Sequence, residues 1–545
     1  MTHSTPRENL LEGFVPFSQN RVEAYRSSGY WQSKPLDHLL SEAARHWPER
    51  PAVIDDDRAH TFAELDLLAD RMAAGFAALG ISAGDRVLLQ LPNSTRFAVT
   101  LFGLLRAGAA PVMCLPAHRR AELSHFAQVS GAVALVIADQ AGGFDYRQLA
   151  RQLTAEHPGL RQVIVDGEPA EFTAWDDLLT AGARPPTRTV DTTEPALLLV
   201  SGGTTGAPKL IPRTHDDYVY NATASAQLCQ LSSDDVLLVA LPAAHNFPLA
   251  CPGLLGAMSV GAPTVFTADP SPESAFATID RHRVTVVGLV PALAKLWTQA
   301  CDWEPQRPTT LRLLQVGGAK LGAADAAAVR AELTPGLQQV FGMAEGLLNY
   351  TRPGDPTELV DNTQGAPLCV DDELRIVDEA GDDVAPGEEG ELLVRGPYTL
   401  NGYYRAPRDN ERSFSPDGFY RTGDRVRRLP NGYLEVTGRI KDVIHRGGET
   451  VSALDLEDHL LSHPVIWSAA AVALPDEYLG EKICAVVVFD TQSAGPALGL
   501  PEINEYLDAR GVAAHSRPDM LVARGSMPLT AVGKIDKKVL VRELT

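Results

Sequence analysis

The stretch that says most about the fold of this chain is Val-Ser-Gly-Gly-Thr-Thr-Gly-Ala-Pro-Lys, residues 200–209, because it begins where the apolar run 197–200 ends. Its glycines have no Cβ, so successive backbone N–H groups can point at one anion, while the hydroxyls and the lysine add donors and a positive charge. We therefore predict a phosphate-binding loop with a nucleoside triphosphate as its natural ligand. The predicted binding residues are Ser201, Gly202, Gly203, Thr204, Thr205, Gly206 and Lys209.

This loop differs from a Walker A motif, in which Gly, Lys and Ser or Thr follow one another directly. Here Gly206 is followed by Ala-Pro-Lys-Leu. The difference disfavours a kinase or a P-loop GTPase. A Gly/Thr-rich segment taken alone is also compatible with a simple turn, so the prediction depends on other parts of the sequence.

Length and composition indicate a multidomain enzyme. A chain of 545 residues exceeds the size of one growing core, and its 45% hydrophobic and 21% charged residues are typical of α/β proteins. The net charge of -21 argues against nucleic acid or an anionic membrane as a partner. Six scattered cysteines without a Cys-x-x-Cys pair predict reduced thiols in the cytoplasm, and the absence of a long apolar run predicts no membrane span.

In the first two thirds of the chain, several apolar runs are followed at once by loops that carry candidate binding residues. Helix-period and strand-like segments alternate there, for example a predicted helix over 62–79 and a predicted strand over 86–91. The runs 236–241, 311–316 and 337–341 are followed by such loops, as is the run before the phosphate loop. Because ligands gather at the carboxyl ends of parallel strands, we expect these loops to form one pocket.

The residue pattern of the sequence changes in its last third. Residues 371–436 read as short strands punctuated by Gly and Pro, which is typical of antiparallel β structure, and residues 440–545 alternate helix and strand again. The sequence therefore predicts an α/β fold. Its large N-terminal domain, residues 1–439, contains βαβ-built sheets and a β-rich subdomain, and its small C-terminal domain, residues 440–545, is α+β.

Three charged residues in later segments suit a bound nucleotide. Glu345 follows a predicted strand and is placed to hold Mg²⁺ against phosphates, since a carboxylate beside a triphosphate is otherwise repulsive. Asp424 and Arg439 are short-range partners for ribose hydroxyls. Each of the three, taken alone, also fits a solvated loop charge.

Five motifs, in order and across essentially the whole chain, resemble the adenylate-forming superfamily of acyl-CoA synthetases, nonribosomal peptide adenylation domains and luciferases. They lie at residues 200–209, 341–346, 420–424, 438–442 and 529–537. The resemblance implies a large N-terminal domain and a small mobile C-terminal domain, with ATP and Mg²⁺ bound between them.

The resemblance also implies roles for individual residues. Asp424 and Arg439 bind ribose, Glu345 and Thr204 hold the metal, Lys534 is catalytic, and Lys441 is the hinge. Further nucleotide contacts are implied for Gly318, Ala319, Val340, Phe341, Gly342, Met343 and Ala344. The implied reaction is attack of a carboxylate on the α-phosphate of ATP, so catalysis rests on positioning and charge neutralisation. The alternative for Lys534 is a surface lysine beside Lys537 and Lys538.

The motif around Glu345 departs from the usual family pattern. Ala344 stands where the family usually has Thr, and the loss of one hydrogen bond there is worth on the order of 1 kcal/mol. Gly-Met-Ala-Glu and the segment 245–253 resemble the aryl acid ligases that start catechol and phenol siderophores, namely the salicylate and 2,3-dihydroxybenzoate ligases. The residues expected to bind the aryl acid are Asn246, Phe247, Cys251, Gly317, Gly318, Lys320, Val340 and Leu348.

Two of these residues favour salicylate over 2,3-dihydroxybenzoate. Cys251 replaces the Ser of dihydroxybenzoate ligases, and a thiol is too weak a donor for a 3-hydroxyl. Leu348 replaces a smaller Val and narrows the space. Cys251 also fits plain core filling.

His245 is either a buried structural histidine or a gate over the substrate carboxylate, which places it among the candidate catalytic residues.

The expected acceptor is a phosphopantetheine thiol on a separate aryl carrier protein, because no carrier-protein serine motif follows Lys534. The resemblance implies that the C-terminal domain rotates about Lys441 after adenylation and withdraws Lys534. Coenzyme A is the alternative acceptor. A sensor that binds nucleotide without turnover, or a luciferase-like oxygenase, would be the other readings of the same motifs.

Overall fold

The computed structural model describes residues 11–56, 58–180, 189–201, 208–440, 442–446, 449–490, 498–531 and 533–545. Its strands are β1 Pro51–Ile54, β2 Ala59–Thr61, β3 Arg86–Gln90, β4 Ala110–Met113, β5 Ala134–Ala138, β6 Gln140–Ala141, β7 Phe144–Asp145, β8 Gln162–Asp166, β9 Thr173–Ala174, β10 Pro195–Val200, β11 Leu210–Thr214, β12 Leu237–Val239, β13 Thr264–Phe266, β14 Val286–Leu289, β15 Leu313–Gly317, β16 Leu337–Gly342, β17 Leu348–Tyr350, β18 Ala366–Pro367, β19 Glu373–Val377, β20 Glu389–Arg395, β21 Tyr420–Arg428, β22 Leu434–Arg439, β23 Val443–Arg446, β24 Glu449–Ser452, β25 Ile466–Asp476, β26 Gly480–Phe489 and β27 Met520–Arg524.

The α-helices of the same residues are α1 Gln19–Ser27, α2 His38–His46, α3 Phe62–Ala78, α4 Thr95–Ala107, α5 Arg120–Ser130, α6 Tyr146–Glu156, α7 Trp175–Leu178, α8 His215–Leu228, α9 Asn246–Ala250, α10 Gly253–Val260, α11 Pro272–His282, α12 Pro291–Ala300, α13 Ala323–Glu332, α14 Thr357–Asn362, α15 Pro407–Ser413, α16 Ala453–Leu461, α17 Leu500–Ala509 and α18 Lys537–Leu544. Within the described ranges, no helix is both long and apolar enough to span a bilayer.

Two large sheets form the first part of the chain. One has the strand order β18-β17-β16-β15-β14-β12-β13-β1-β2, and the other has the order β11-β10-β4-β3-β5-β8-β9. The central pairs of both are parallel. Their apolar strands alternate with helices such as α3 and α4, which pack against each other, as the βαβ pattern predicts. The predicted α/β class is confirmed.

Helix ends are set by local sequence. Thr61 and Glu64 form a capping box at the start of α3, Ser94 caps α4 through Phe97 N, and Gly108 ends α4 in the left-handed conformation at φ 80°. The helix predicted over 62–79 is observed as Phe62–Ala78, one residue shorter.

The later part of the chain has smaller sheets with cores of their own. β19, β20, β21 and β22 form an antiparallel sheet, which agrees with the β-rich subdomain expected there. Beyond residue 442, β24, β23, β26 and β25 are antiparallel, and β27 adds to β26 in parallel. Ile444, Leu456 and Ile483 belong to a separate hydrophobic cluster in this region. The domain boundary at 439/440 remains a prediction.

Parallel pairing brings the predicted loops together. β12, β14, β15 and β16 are neighbours in the nine-stranded sheet and run in the same direction. The segments that follow them therefore emerge at one edge. This edge, called the carboxyl edge below, carries residues 240–247, 290, 318–320 and 343–345.

Candidate active site

Lys534 reaches the carboxyl edge from the C-terminal part of the chain. A Cβ placed on Gly318 would lie 3.2 Å from Lys534 Cε and would crowd the lysine stem, and the φ of +87° also favours glycine at this position. The turn that carries the lysine is closed at both ends, since Thr530 N donates to Lys534 O at 2.6 Å and Lys534 N donates to Thr530 Oγ1 at 3.1 Å. The structure thus brings together two predicted site residues that are more than two hundred positions apart.

The surroundings of Lys534 make its ammonium easier to deprotonate. Burial lowers the pKa of Lys534 to about 8, and the charge of Arg439 acts in the same direction, while Asp424 and Glu345 oppose it. At neutral pH the ammonium is still the major form. It is therefore a cation in a partly desolvated place, where it stabilises negative charge better than it would in water.

Asp424 and Arg439 lie opposite each other on β21 and β22. Arg439 Nε donates to Asp424 Oδ1 at 2.6 Å, and the aspartate is only 2% exposed. Its second oxygen, Oδ2, is buried and has no hydrogen-bond partner among the described residues. Burial raises the pKa of Asp424, although Arg439 and Lys534 oppose the rise. An unpaired buried carboxylate oxygen is a place prepared for a hydroxyl donor, such as that of a ribose.

Glu345 is held by a tyrosine pair that the sequence did not indicate. Tyr403 donates its hydroxyl to Glu345 Oε1 at 2.8 Å, and the hydroxyls of Tyr403 and Tyr420 are 2.9 Å apart. Lys209 Nζ lies 5.1 Å from the centre of the Tyr403 ring. The structure therefore places the predicted metal carboxylate and the lysine of the phosphate loop against the same tyrosine, Glu345 at its hydroxyl and Lys209 over its ring.

The base of the phosphate loop is closed by two hydrogen bonds. Ser201 N donates to Lys209 O at 2.9 Å, and Lys209 N donates to Ser201 Oγ at 2.8 Å. Five predicted phosphate contacts and the predicted hinge lie outside the described residues, namely Gly202, Gly203, Thr204, Thr205, Gly206 and Lys441. Their roles remain predictions.

The segment after β12 carries the predicted aryl acid residues. Asn246 is 5% exposed and Cys251 1% exposed, and Asn246 Nδ2 donates to Cys251 Sγ at 3.4 Å. Phe247 lies against the glycines of two neighbouring strands, because a Cβ on Gly317 would be 3.2 Å from Phe247 Cζ and one on Gly288 would be 3.3 Å away. The Phe247 ring therefore fills the space beside Gly317, a glycine that was expected to contact the aryl acid.

His245 caps α9, and the charge of Lys534 acts on it. Its Nδ1 accepts from Phe247 N at 3.3 Å. Burial, and to a smaller extent the charge of Lys534, lowers the pKa of His245 to about 4. The imidazole is therefore neutral at physiological pH. The cap agrees with a structural histidine, and the role of a gate over the substrate carboxylate remains a prediction.

Other predicted residues lie around this segment. Val340 and Leu348 are 5% and 2% exposed, and a Cβ on Gly342 would be 2.4 Å from Leu348 Cδ2, so β16 and β17 are in close contact here. Met343 follows β16 directly, and Ala319 is the second residue after β15. Phe341 O accepts from the side-chain amide of Asn349 at 3.2 Å. Lys320 Nζ lies 3.0 Å from Asp458 Oδ2 on α16.

Comparison with known proteins agrees with this geometry. The model of the AMP-binding enzyme family matches residues 40–404, and that of the AMP-binding enzyme C-terminal domain matches residues 455–534. The chain belongs to the AMP-binding enzymes. This confirms the predicted membership of the adenylate-forming superfamily.

Individual relatives match over nearly the whole chain. The salicyl-AMP ligase / salicyl-S-ArCP synthetase of Mycobacterium tuberculosis is 66% identical over 98% of this chain and 95% of its own length. The 2,3-dihydroxybenzoate-AMP ligase of Bacillus subtilis is 46% identical over 97% of both. The apo structure of MbtA from Mycobacterium smegmatis is 69% identical, covers 98% of this chain and 99% of its own, and has a TM-score of 0.77. These relatives confirm the predicted aryl acid AMP ligase subgroup.

In this AMP-binding enzyme, a buried arginine braces the Glu345 loop. Arg213 donates to Ala344 O at 2.9 Å and to Tyr398 O at 3.1 Å. It also pairs with Asp217 at 2.9 Å, and both side chains are almost fully buried. Sequence reasoning missed Arg213, although an arginine in the apolar strand Leu-Ile-Pro-Arg-Thr, four residues before an aspartate, was the available signal.

Proposed function

We propose that this enzyme joins salicylate to AMP at the expense of ATP, releases pyrophosphate, and passes the salicyl group to the phosphopantetheine thiol of a separate aryl carrier protein. The observation that carries the proposal is the position of Lys534 against Gly318 at the carboxyl edge. The same edge holds Asn246, whose side chain contacts Cys251. The 66% identity to a salicyl-AMP ligase supports the choice of substrate.

The first step needs no strong base, because a carboxylate is already ionised at neutral pH. Its oxygen attacks the α-phosphorus of ATP, the bond to the pyrophosphate oxygen breaks, and pyrophosphate leaves with the electron pair. Two anions must meet for this to happen. Lys534 supplies a cation between them, and the partial desolvation of its ammonium strengthens that attraction.

The nucleotide is held by the two charged residues of β21 and β22. Asp424 Oδ2, buried without a partner among the described residues, accepts from a ribose hydroxyl. Arg439 opposes the rise that burial causes in the pKa of Asp424, and it fixes the carboxylate through its 2.6 Å bond to Oδ1. We assign Ser201 and Lys209, with the loop between them, to the phosphates.

Glu345 is our candidate Mg²⁺ ligand, with Thr204. No group of three His, Cys, Asp or Glu side chains suited to a metal occurs in the ranges that the structure covers, so a protein-only cage is not part of the proposal. Mg²⁺ is usually held by one or two carboxylates together with substrate phosphates, which fits a single glutamate. The ion would neutralise phosphate charge, while Tyr403 orients Glu345 through its 2.8 Å hydrogen bond.

Salicylate is preferred to 2,3-dihydroxybenzoate because of Cys251. Its thiol is buried and bonded to both the side chain and the backbone of Asn246, so it offers little to a 3-hydroxyl. We assign Leu348, which is 2% exposed, to the same pocket. The 46% identity to a 2,3-dihydroxybenzoate-AMP ligase makes that acid the second candidate.

We place the reaction in the cytoplasm, where ATP is available. All six cysteines lie within the described ranges, are buried and form no disulfide, which supports a reducing compartment. The partner of the second step is a carrier protein supplied in trans, and coenzyme A is the alternative acceptor.

Two assays test the proposal. Pyrophosphate exchange with salicylate, 2,3-dihydroxybenzoate, benzoate and amino acids should be fastest with salicylate. Incubation of enzyme, ATP and salicylate with either coenzyme A or a phosphopantetheinylated aryl carrier protein should then acylate the carrier. Faster exchange with dihydroxybenzoate would refute the substrate, and acylation of coenzyme A alone would refute the acceptor.

A further inference from the structure

Tyr218 is a buried tyrosine whose hydroxyl points at a residue of the aryl acid segment. It lies on α8, is 0% exposed, and donates its hydroxyl to Asn246 Oδ1 at 2.8 Å. A buried phenol needs a hydrogen-bond partner. Here the partner is the side-chain amide of Asn246, so the oxygen of that amide is turned toward α8.

The opposite end of the same amide is held by Cys251. Asn246 Nδ2 donates to Cys251 Sγ at 3.4 Å, and Sγ donates to Asn246 O at 3.5 Å. Because the only thiol hydrogen is used on the backbone oxygen, the sulfur can only accept from the amide. The nitrogen therefore faces Cys251, and the Tyr218 hydroxyl and the thiol require the same orientation of the amide.

The ring of Tyr218 is held by the neighbouring side chain of Arg213. The guanidinium carbon of Arg213 lies 4.6 Å from the centre of the Tyr218 ring, a cation–π contact that holds the ring in place. Arg213 is fixed in turn by Asp217 at 2.9 Å, and Asp217 caps α8 together with Thr214. The hydroxyl is thus aimed by a rigid buried network rather than by a flexible loop.

An amide nitrogen has two hydrogens, and one is used on Cys251. In salicylate, the 2-hydroxyl donates to its own carboxylate, so its oxygen remains free to accept. We propose that Tyr218 is a positioning residue that fixes the Asn246 amide with its nitrogen available to the aryl acid, and that it thereby sets the preference for acids with a 2-hydroxyl group. This inference rests on the proposed function. A flipped amide would present its carbonyl oxygen to a substrate oxygen and repel it.

The test compares acids that differ only in the 2-hydroxyl. Pyrophosphate exchange is measured for Tyr218→Phe with salicylate and benzoate, or with 2,3-dihydroxybenzoate and 3-hydroxybenzoate if the wild type prefers that pair. The ratio of kcat/KM for the 2-hydroxylated acid to that for its analogue should fall about tenfold. The change should appear mainly in the KM of the hydroxylated acid, with the KM of ATP unchanged.

Tyr146→Phe is the matched control, since its buried hydroxyl donates to Pro116 O at 2.8 Å, away from Asn246. It should leave the ratio unchanged. In an Asn246→Ala background, Tyr218→Phe should cause no further loss.

Three results would overturn the inference: an unchanged ratio, an equal fall for both acids, or a further full loss in the Asn246→Ala background. The wild type tests the proposed function separately. If it exchanges with no 2-hydroxylated acid, both proposals fail, whereas a normal wild type with an unchanged variant ratio refutes only the role of Tyr218.

Discussion

Replacing Lys534 with alanine should almost abolish adenylate formation. The side chain is half-buried and its Cε lies beside Gly318, so its ammonium acts where water is partly excluded. A unit charge about 4 Å from a phosphoryl oxygen contributes about 4 kcal/mol at an effective dielectric constant of about 20. Because this attraction is strongest when the two anions meet, its loss should slow adenylation about a thousandfold.

The two half-reactions separate this effect from damage to the fold. Adenylation is measured by salicylate-dependent pyrophosphate exchange, and transfer is measured by supplying preformed salicyl adenylate and an aryl carrier protein. Lys534→Ala should impair the first and leave the second within a few-fold of wild type. Lys538→Ala removes an exposed lysine four positions later and should change neither.

If Lys534→Ala kept more than about a tenth of wild-type exchange, the ammonium would contribute less than about 1.4 kcal/mol, and the electrostatic account would be wrong. An equal loss in both half-reactions would point to misfolding of the C-terminal region instead. Circular dichroism and the melting temperature then decide between the two explanations.

Three further predictions concern pH, selectivity and the contact between domains. Because burial lowers the pKa of Lys534 to about 8 and the protonated form is the active one, kcat/KM for adenylation should fall as pH rises through about 8; Lys534→Arg should abolish that limb, and a limb that persists would assign it to another group. Cys251→Ser should raise the kcat/KM ratio of 2,3-dihydroxybenzoate to salicylate about tenfold, since a hydroxyl pairs with the 3-hydroxyl better than a thiol; competition between the two acids measures it, and an unchanged ratio would make Cys251 a packing residue only. Lys320→Met and Asp458→Asn should each slow exchange about two- to five-fold by removing their 3.0 Å ion pair; a rise in salicylate KM for Lys320→Met alone would show instead that Lys320 binds the substrate.

The sequence indicated the α/β class and the order of the site motifs because both depend on patterns within short segments of the chain. Gly318 and Lys534 stand in short loops and Asp424 stands within β21, each in a segment where glycine and charge are conspicuous. The parallel order of β14, β15 and β16 then brings successive loops to one edge. Rules that act over a few residues were sufficient for that part, while the roles of these residues remain predictions.

Residues that act through tertiary contacts could not be recognised from the sequence. Tyr218 reads as one more apolar position on α8, and its bond to Asn246 exists only because α8 packs against α9. Tyr403 meets Glu345 across 58 positions. Lys320 stands next to the Gly317-Gly318 pair and suggested a substrate contact, yet its ammonium lies on Asp458, 138 positions away. Local spacing carries no information about such partners.

The contacts of Lys320 and Lys295 are compatible with the proposed movement of Lys534 between the two half-reactions. Lys320 pairs with Asp458, and Lys295 donates to Trp467 O at 3.0 Å. Partly exposed polar contacts contribute at most about 1 kcal/mol each, so they orient the C-terminal region without locking it. In the proposed mechanism, these weak contacts hold Lys534 at the carboxyl edge for the first step and let it leave before the second. A tighter apolar interface would favour adenylation and block the approach of the carrier thiol.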